Sequence, residues 1–428
     1  MLKIYFIEVK RSPLLIALPV LIAIDLAVLF GRSRHWIGVW PEASAATQVV
    51  TLFLGPLLAA VSSWQAGRSS RASMPDFLLS AARSGWKIEA ARLAATLTMG
   101  LVAYGIGALV AAMASISEAG DGFLWPSYLA LGAGTLTLFA AVGHLAGRWW
   151  PSPLFTPVVC ALGGFISLLA IGQNYGMFVL SGPPDEEVRF GPLALRLLLA
   201  VGAAIAAITL PDVPGKRRDA LQRPLPTASR VAGTIAVISC LGLLALIPTA
   251  GSLRGERDPS QFKALCEQAE KSGPRVCVWP EHRKYLGELR EMAERLDAIP
   301  QKWVRTPDTF YEEGLRPTRL GDMGFSITEG HVRSAAIAMA GQVSMMSFHG
   351  CLPPERDTRA WQASNRVDIW LEYRAMGVDP EIADKGLTIT GVTDAQKDAA
   401  HIARLSESEQ SESISRQRDY LRESGCGT

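Results

Sequence analysis

The sequence predicts an all-α polytopic membrane domain of six or seven transmembrane helices over residues 1–253, followed by a mainly α extracytoplasmic domain over residues 254–428. Three observations lead there. Of the 428 residues 49% are hydrophobic and only 19% are charged, whereas a soluble chain averages about 25% charged. Mean hydropathy is +0.20, too apolar for two or three soluble domains each with its own polar surface. The charge is also segregated, with long apolar runs up to residue 250 and most Lys, Arg, Asp and Glu beyond it. A net charge of +2 gives no basic signature for nucleic acid. The same composition excludes a disordered or collagen-like chain.

A bilayer core takes about 20 apolar residues per helix. Seven runs qualify: 13–30, 44–64, 93–115, 125–147, 153–172, 190–210 and 231–250. Arg, Lys, Pro, Gly or Trp bounds each one. Trp36, Trp40, Trp125, Trp149 and Trp150 suit the lipid interface. The fifth and sixth runs are the weakest. Arg196 lies within two turns of the sixth run's edge and is expected to snorkel. The first 30 residues start basic like a signal peptide, but the apolar run is too long and no small-x-small cleavage site follows, so a retained helix is expected.

Loop charges orient the spans. With the N-terminus inside, fourteen Lys and Arg fall on inner segments and three, Arg32, Arg34 and Arg189, on outer loops. Seven spans then put the tail outside; loss of one span would return it to the cytoplasm. Cys160 and Cys240 lie in apolar runs and read as packed small residues. Cys266, Cys277, Cys351 and Cys426 all lie in the tail, and an even number in an outward-facing domain suggests disulfides. Of the three possible pairings, Cys266–Cys277 with Cys351–Cys426 is favoured. The first closes a short loop between an expected helix and a strand, and the second pins the C-terminus. Free thiols in a cytoplasmic tail are the alternative. No C-x-x-C or C-x-x-H spacing points to a metal.

The loop between runs two and three is too long for a turn. Within it, residues 74–86 read MPDFLLSAARSGW. Asp76 is placed to cap a helix, and Phe77, Leu78, Ala81 and Ala82 form one apolar stripe. Arg83 and Lys87 stand near the helix end, where cations are favoured. A short amphipathic helix at the cytoplasmic face follows; an interfacial helix without a partner is the plainer alternative. The basic amphipathic start MLKIYFIEVKRSP, two spans, and then a loop ordered as short helix, Arg, Trp, Lys and third span resemble permease subunits of the type-2 ABC exporter superfamily. The tail segment PRVCVWPEHRKYL, with the late cysteine of YLRESGC, is similar to actinobacterial permeases that carry an extracellular extension.

The membrane resemblance covers roughly residues 1–250, and the tail resemblance is local. It implies a transmembrane permease subunit of an ABC transporter, an exporter, in the bacterial cytoplasmic membrane. Asp76, Phe77, Leu78, Ala81, Arg83, Trp86 and Lys87 would be its coupling helix, docked on a separate ATPase subunit. The expected partners are that ATPase, a second permease subunit in a homo- or heterodimer, and membrane lipid, with no nucleic acid. One departure is the seventh span, since the family usually has six; the extra helix would be the stalk of the tail. No G-x-x-x-x-G-K-[ST] occurs, so ATP and Mg are expected on the partner chain and no cofactor on this one. HExxH and G-x-S-x-G are also absent.

Asp25 is the one carboxylate deep in a run, and intramembrane acids are functional candidates by default. It is the candidate for a translocation path, with Arg196 or His144 as a possible partner; a packed acid is the alternative. His144, in GHLAG, reads as a packed polar residue, and GHLAG itself matches a G-x-x-x-G close-packing pattern. Glu89 and Arg92 have the spacing of a helical salt bridge.

In the tail, helices are expected over 259–272, 281–296, 330–347, 359–376 and 407–424, with a strand at 275–279. Glu281, His282, Glu329, His331, His349 and His401 match no metal or triad spacing, so no catalytic or metal site is expected. Two other functions remain open. One is a membrane-anchored sensor or assembly scaffold with an extracellular ligand-binding domain, and the other is a tethered enzyme.

Overall fold

A computed structural model describes residues 2–31, 34–68, 85–172, 174–211, 227–269, 273–316, 324–347, 358–377 and 394–423. The chain forms two compact units. The first comprises Met1–Ser117, Phe123–Gly182 and Glu186–Gly255, and the second Glu118–Gly122, Pro183–Asp185 and Glu256–Thr428.

The first unit is helical. An amphipathic helix α1 (Leu2–Arg11) precedes α2 (Pro13–Gly31). Helices α3 (Trp40–Val49) and α4 (Thr51–Ala66) run on as one rod. They are followed by α5 (Gly85–Ser115), α6 (Pro126–Trp149), α7 (Phe155–Ser167), α8 (Phe190–Thr209) and α9 (Thr227–Leu246). Among the described residues seven helices are long and apolar enough to cross a membrane. Their apolar side chains need no water, and their backbone bonds close within each helix, which is what a bilayer demands. In the most apolar 18-residue stretch of the spans at 155–172 and 230–249 only 17% of residues are buried, against 67% for that of 40–66. The central rod therefore sits inside the bundle and the two others present apolar faces outward.

The central contacts are α4 on α6, α6 on α8 and α4 on α7. GHLAG makes the first of these within the chain. A Cβ at Gly143 would lie 2.1 Å from the Ala59 carbonyl oxygen, and one at Gly147 2.0 Å from that of Ser63. Small residues let the two backbones approach, and the Ser62 hydroxyl donates to the Ala140 carbonyl at 2.7 Å.

The second unit joins a three-stranded sheet, β3 (Leu265–Gln268), β4 (Arg275–Val278) and β5 (Thr309–Tyr311), to helices α10 (Leu286–Asp297), α11 (Val332–Ser347), α12 (Thr358–Met376), α13 (Asp394–Arg404) and α14 (Glu407–Glu423). Two short strands elsewhere, β1 (Glu186–Val188) and β2 (Arg254–Glu256), form a separate pair. β3 and β4 are antiparallel, and β4 and β5 parallel. One face of α10 buries Leu286, Leu289, Met292, Ala293 and Leu296. They share a core with Phe310, Phe325, Met339, Val367 and Trp370.

The helix expected over 259–272 does not form. A 3-10 turn, Pro259–Gln261, gives way to β3. Pairing with β4 sets Cys266 opposite Cys277, and the two are disulfide-bonded. Cross-strand partners thus override a local helical pattern. The expected Cys351–Cys426 link lies outside the described residues. The helix expected from 281 starts at Leu286, after a 3-10 segment Pro280–Tyr285 in which His282 leaves helical geometry. The helix α13 and the strand β5 were not expected.

Two outcomes follow. Gly147→Leu is expected to cost about 3 kcal/mol or more by overpacking against the α4 backbone, read as loss of monodisperse protein after solubilisation. Replacing Cys266 and Cys277 together by Ser is expected to lower the stability of the second unit by roughly 2–4 kcal/mol, measured by denaturant unfolding of the full chain.

Candidate functional site

Within the first unit, polar groups gather at three places. The first is a non-helical segment after α7. A π-turn, Leu168–Gly172, ends the span, and Gly176, Met177, Phe178 and Val179 are then buried without helix or sheet. Their backbone groups need partners from elsewhere. Gln48 supplies two: its Oε1 accepts from Val179 N at 2.8 Å and its Nε2 donates to Met177 O at 3.3 Å. The Thr135 hydroxyl also donates to Met177 O, at 2.8 Å. Arg196 donates from Nε to Tyr175 O at 2.7 Å and Gly176 O at 2.9 Å, and from Nη1 to Pro192 O at 2.6 Å. Gly176 has φ +58°, and a Cβ there would strike the Arg196 guanidinium. Arg196 is thus not a snorkelling residue: it is 5% exposed, held inward by carbonyls that the turn leaves unpaired.

Glu42 closes the segment's far end. It accepts from Ser181 Oγ at 2.7 Å and Gly182 N at 3.0 Å, with His35 Nε2 at 3.5 Å. Glu42, Gln48 and Thr135 were not singled out by the sequence. Glu42 falls just outside the apolar run 44–64, and a neutral Gln or Thr inside a run gives no charge signal.

The second place is a charged cluster at the start of α5. Glu89 meets Arg92 Nη1 at 3.0 Å and His144 Nε2 at 3.0 Å. Glu8 of α1 meets Arg92 Nε at 3.5 Å and Arg68 at 3.1 Å. Gln65 bridges Ser12 and Thr96. The Glu89–Arg92 pair expected from spacing is present, and His144 is a packed polar residue spent on Glu89.

The third is Asp25. It is fully buried against α5, and neither carboxylate oxygen has a hydrogen-bond partner among the described residues. Neither Arg196 nor His144, the expected partners, is among its contacts, since both are engaged as above.

Of the expected coupling helix, Asp76, Phe77, Leu78, Ala81 and Arg83 lie outside the described residues. Trp86 and Lys87 are described, and they belong to the first turn of α5 rather than to a separate loop helix. Cys160 and Cys240 are free thiols in spans.

In the second unit the WPEH segment is a buried node. Glu312 Oε2 accepts from Trp279 N at 2.8 Å, and Oε1 meets His282 Nδ1 at 2.5 Å. Arg257 Nη1 donates to Glu281 at 2.8 Å and to Pro184 O at 3.1 Å. Its guanidinium lies 3.5 Å from the centre of the Phe262 ring and 4.9 Å from that of Trp279, a stacked cation. Both ion pairs are more than nine-tenths buried, so the node fastens the sheet to the start of α10 and offers no surface to a substrate. Among the described residues no group of three His, Cys, Asp or Glu side chains could hold a metal.

Asp368 of α12 is a half-buried acid of the second unit. Burial pushes its carboxyl above the usual range, and hydrogen bonds from Ser344 and Ser364 pull the other way. Its Oδ1 has no partner among the described residues. A carboxyl raised on folding carries no penalty while protonated in both states. It destabilises the fold as pH rises from the unfolded value through the raised one. Asp368→Asn is therefore expected to flatten the fall in stability between acid and neutral pH and to raise the neutral-pH melting temperature of the second unit.

A domain family of unknown function (DUF7224) matches residues 276–424. No curated protein and no solved structure matches the chain.

Proposed function

We propose that this chain is the membrane subunit of an ABC exporter, driven by a separate ATPase subunit, with residues 254–428 on the extracytoplasmic side. The observation that carries the reading is the non-helical segment 174–182, buried at residues 176–179, among the seven membrane-length helices of the described residues. Irregular backbone among spans is tolerated where it is enclosed by protein or lines a path, and such unwound stretches mark substrate sites in transporters. Gln48, Thr135, Arg196 and Glu42 give this stretch a polar setting inside apolar spans. The resemblance of the first cytoplasmic loop to type-2 ABC permeases supports the same reading.

Orientation rests on two further supports. Fourteen inner against three outer Lys and Arg favour an inside N-terminus. An odd number of spans then puts the tail with the 118–122 and 183–185 loops, the segments that belong to its compact unit. The Cys266–Cys277 disulfide suits an oxidising side. The ATPase docks on the 74–86 loop in this reading, because a short apolar stripe ending in cations fits a protein groove with an acidic rim.

The test is copurification. The tagged full-length chain is expected to bring down a protein with a Walker A loop. Phe77→Asp, which places a charge in the centre of the contact, is expected to lower that yield roughly tenfold, the effect of about 1.4 kcal/mol, while the chain still inserts. An unchanged yield of ATPase, with hydrolysis still stimulated, would remove the coupling role. Absence of any ATPase from the wild-type preparation would remove the exporter reading.

A further inference from the structure

Asp25 stands about two thirds of the way along α2 with 0% of its surface exposed. Its seat is a notch on α5: a Cβ at Gly107 would lie 1.9 Å from Asp25 Oδ2. The Gly107 N–H is close but belongs to the α5 ladder, and neither carboxylate oxygen has a hydrogen-bond partner among the described residues. An ionised carboxylate without donors is among the least tolerable groups in an apolar interior, and such groups bind a proton instead.

A second feature lies one helical turn further along α2. Val28 and Leu29, three and four residues after Asp25 and so on its face of α2, line a small pocket together with His35, Glu42 and Leu180. The pocket thus brings two titratable side chains, 3.5 Å apart, to the helical turn that follows the buried acid.

We propose that Asp25 is a proton-binding site: the α2–α5 seat holds the neutral acid, and the His35–Glu42 pocket is where its proton enters and leaves. Loss of the proton leaves a bare carboxylate pressed on Gly107, so ionisation drives α2 off α5. The proton is the only ligand, and no covalent change is involved. The titratable groups on the elements around α2 are Lys87, Glu89, Arg92 and Tyr104 of α5, and Glu42 of α3. Those of α1 are Lys3, Tyr5, Glu8, Lys10 and Arg11; α4 carries none. Glu8, Glu89 and Arg92 are paired with one another or with Arg68 and His144, and the Tyr104 hydroxyl donates to Leu129 O at 3.4 Å. The inference does not depend on an ATPase partner.

The experiment is infrared difference spectroscopy of the purified full-length chain in lipid nanodiscs. It uses an Asp368→Asn background to remove the acid of the second unit whose carboxyl burial raises. At neutral pH the chain is expected to show the carbonyl stretch of one protonated carboxylic acid. That band should vanish in Asp25→Asn, shift in heavy water, and fade as pH rises. His35→Ala is expected to slow the heavy-water shift at least tenfold. If Asp25→Asn does not fold, Gly107→Ala serves instead. By filling the seat it should remove the band at a pH where the parent keeps it. No acid band at neutral pH, or a band unchanged by Asp25→Asn, would show that Asp25 is ionised and overturn the site. A band that neither shifts in heavy water nor responds to pH would show a locked structural proton and overturn it equally. A heavy-water shift as fast in His35→Ala as in the parent would overturn the proposed route.

Discussion

A carbonyl or amide enclosed by transmembrane helices has no water to fall back on, so each must find its partner in the chain. Seven helices meet that condition by themselves. Residues 174–182 cannot, and several polar residues of the first unit are arranged around that shortfall. Gln48 reaches from the central rod, Thr135 from α6, Arg196 from α8 and Glu42 from the start of the rod. Arg196 illustrates the exchange. Its burial desolvates a permanent charge, which is tolerable because three carbonyls surround it. Removing those carbonyls would leave the charge with no reason to be inside.

The same accounting runs through the second unit, with ion pairs in place of amides. Glu312 divides its two oxygens between the Trp279 amide and His282. Arg257 is satisfied by Glu281 and two aromatic faces at once. These contacts hold the strand carrying Cys277 to the 3-10 segment that leads into α10, while the disulfide holds it to β3. A short sheet of three strands has little apolar surface of its own, and the helices behind it supply most of the core.

Glycines serve two purposes in the membrane unit. Gly143 and Gly147 bring the α6 backbone against α4, so the G-x-x-x-G pattern is spent inside one chain rather than between two. Gly107 instead makes room for a side chain, the Asp25 carboxyl. The pattern alone cannot distinguish these uses, because the sequence shows where small residues are and not what faces them.

The sequence by itself determined that the first part of the chain carries six or seven membrane-length helices, their approximate limits, and the amphipathic face of α10. These depend on composition and local period, which any window of the chain contains. It also pointed to Cys266–Cys277, because the loop between them is short. It could not show that this bond joins two strands, that Arg196 turns inward, or that Trp86 and Lys87 belong to the α5 span. It could not find Glu42, Gln48, Thr135 or Glu312 at all. Each of those depends on backbone groups tens of residues away, with 131 residues separating Gln48 from Val179. A partner at that distance exists only once the helices are packed, so only the tertiary structure could decide which polar residues the fold requires.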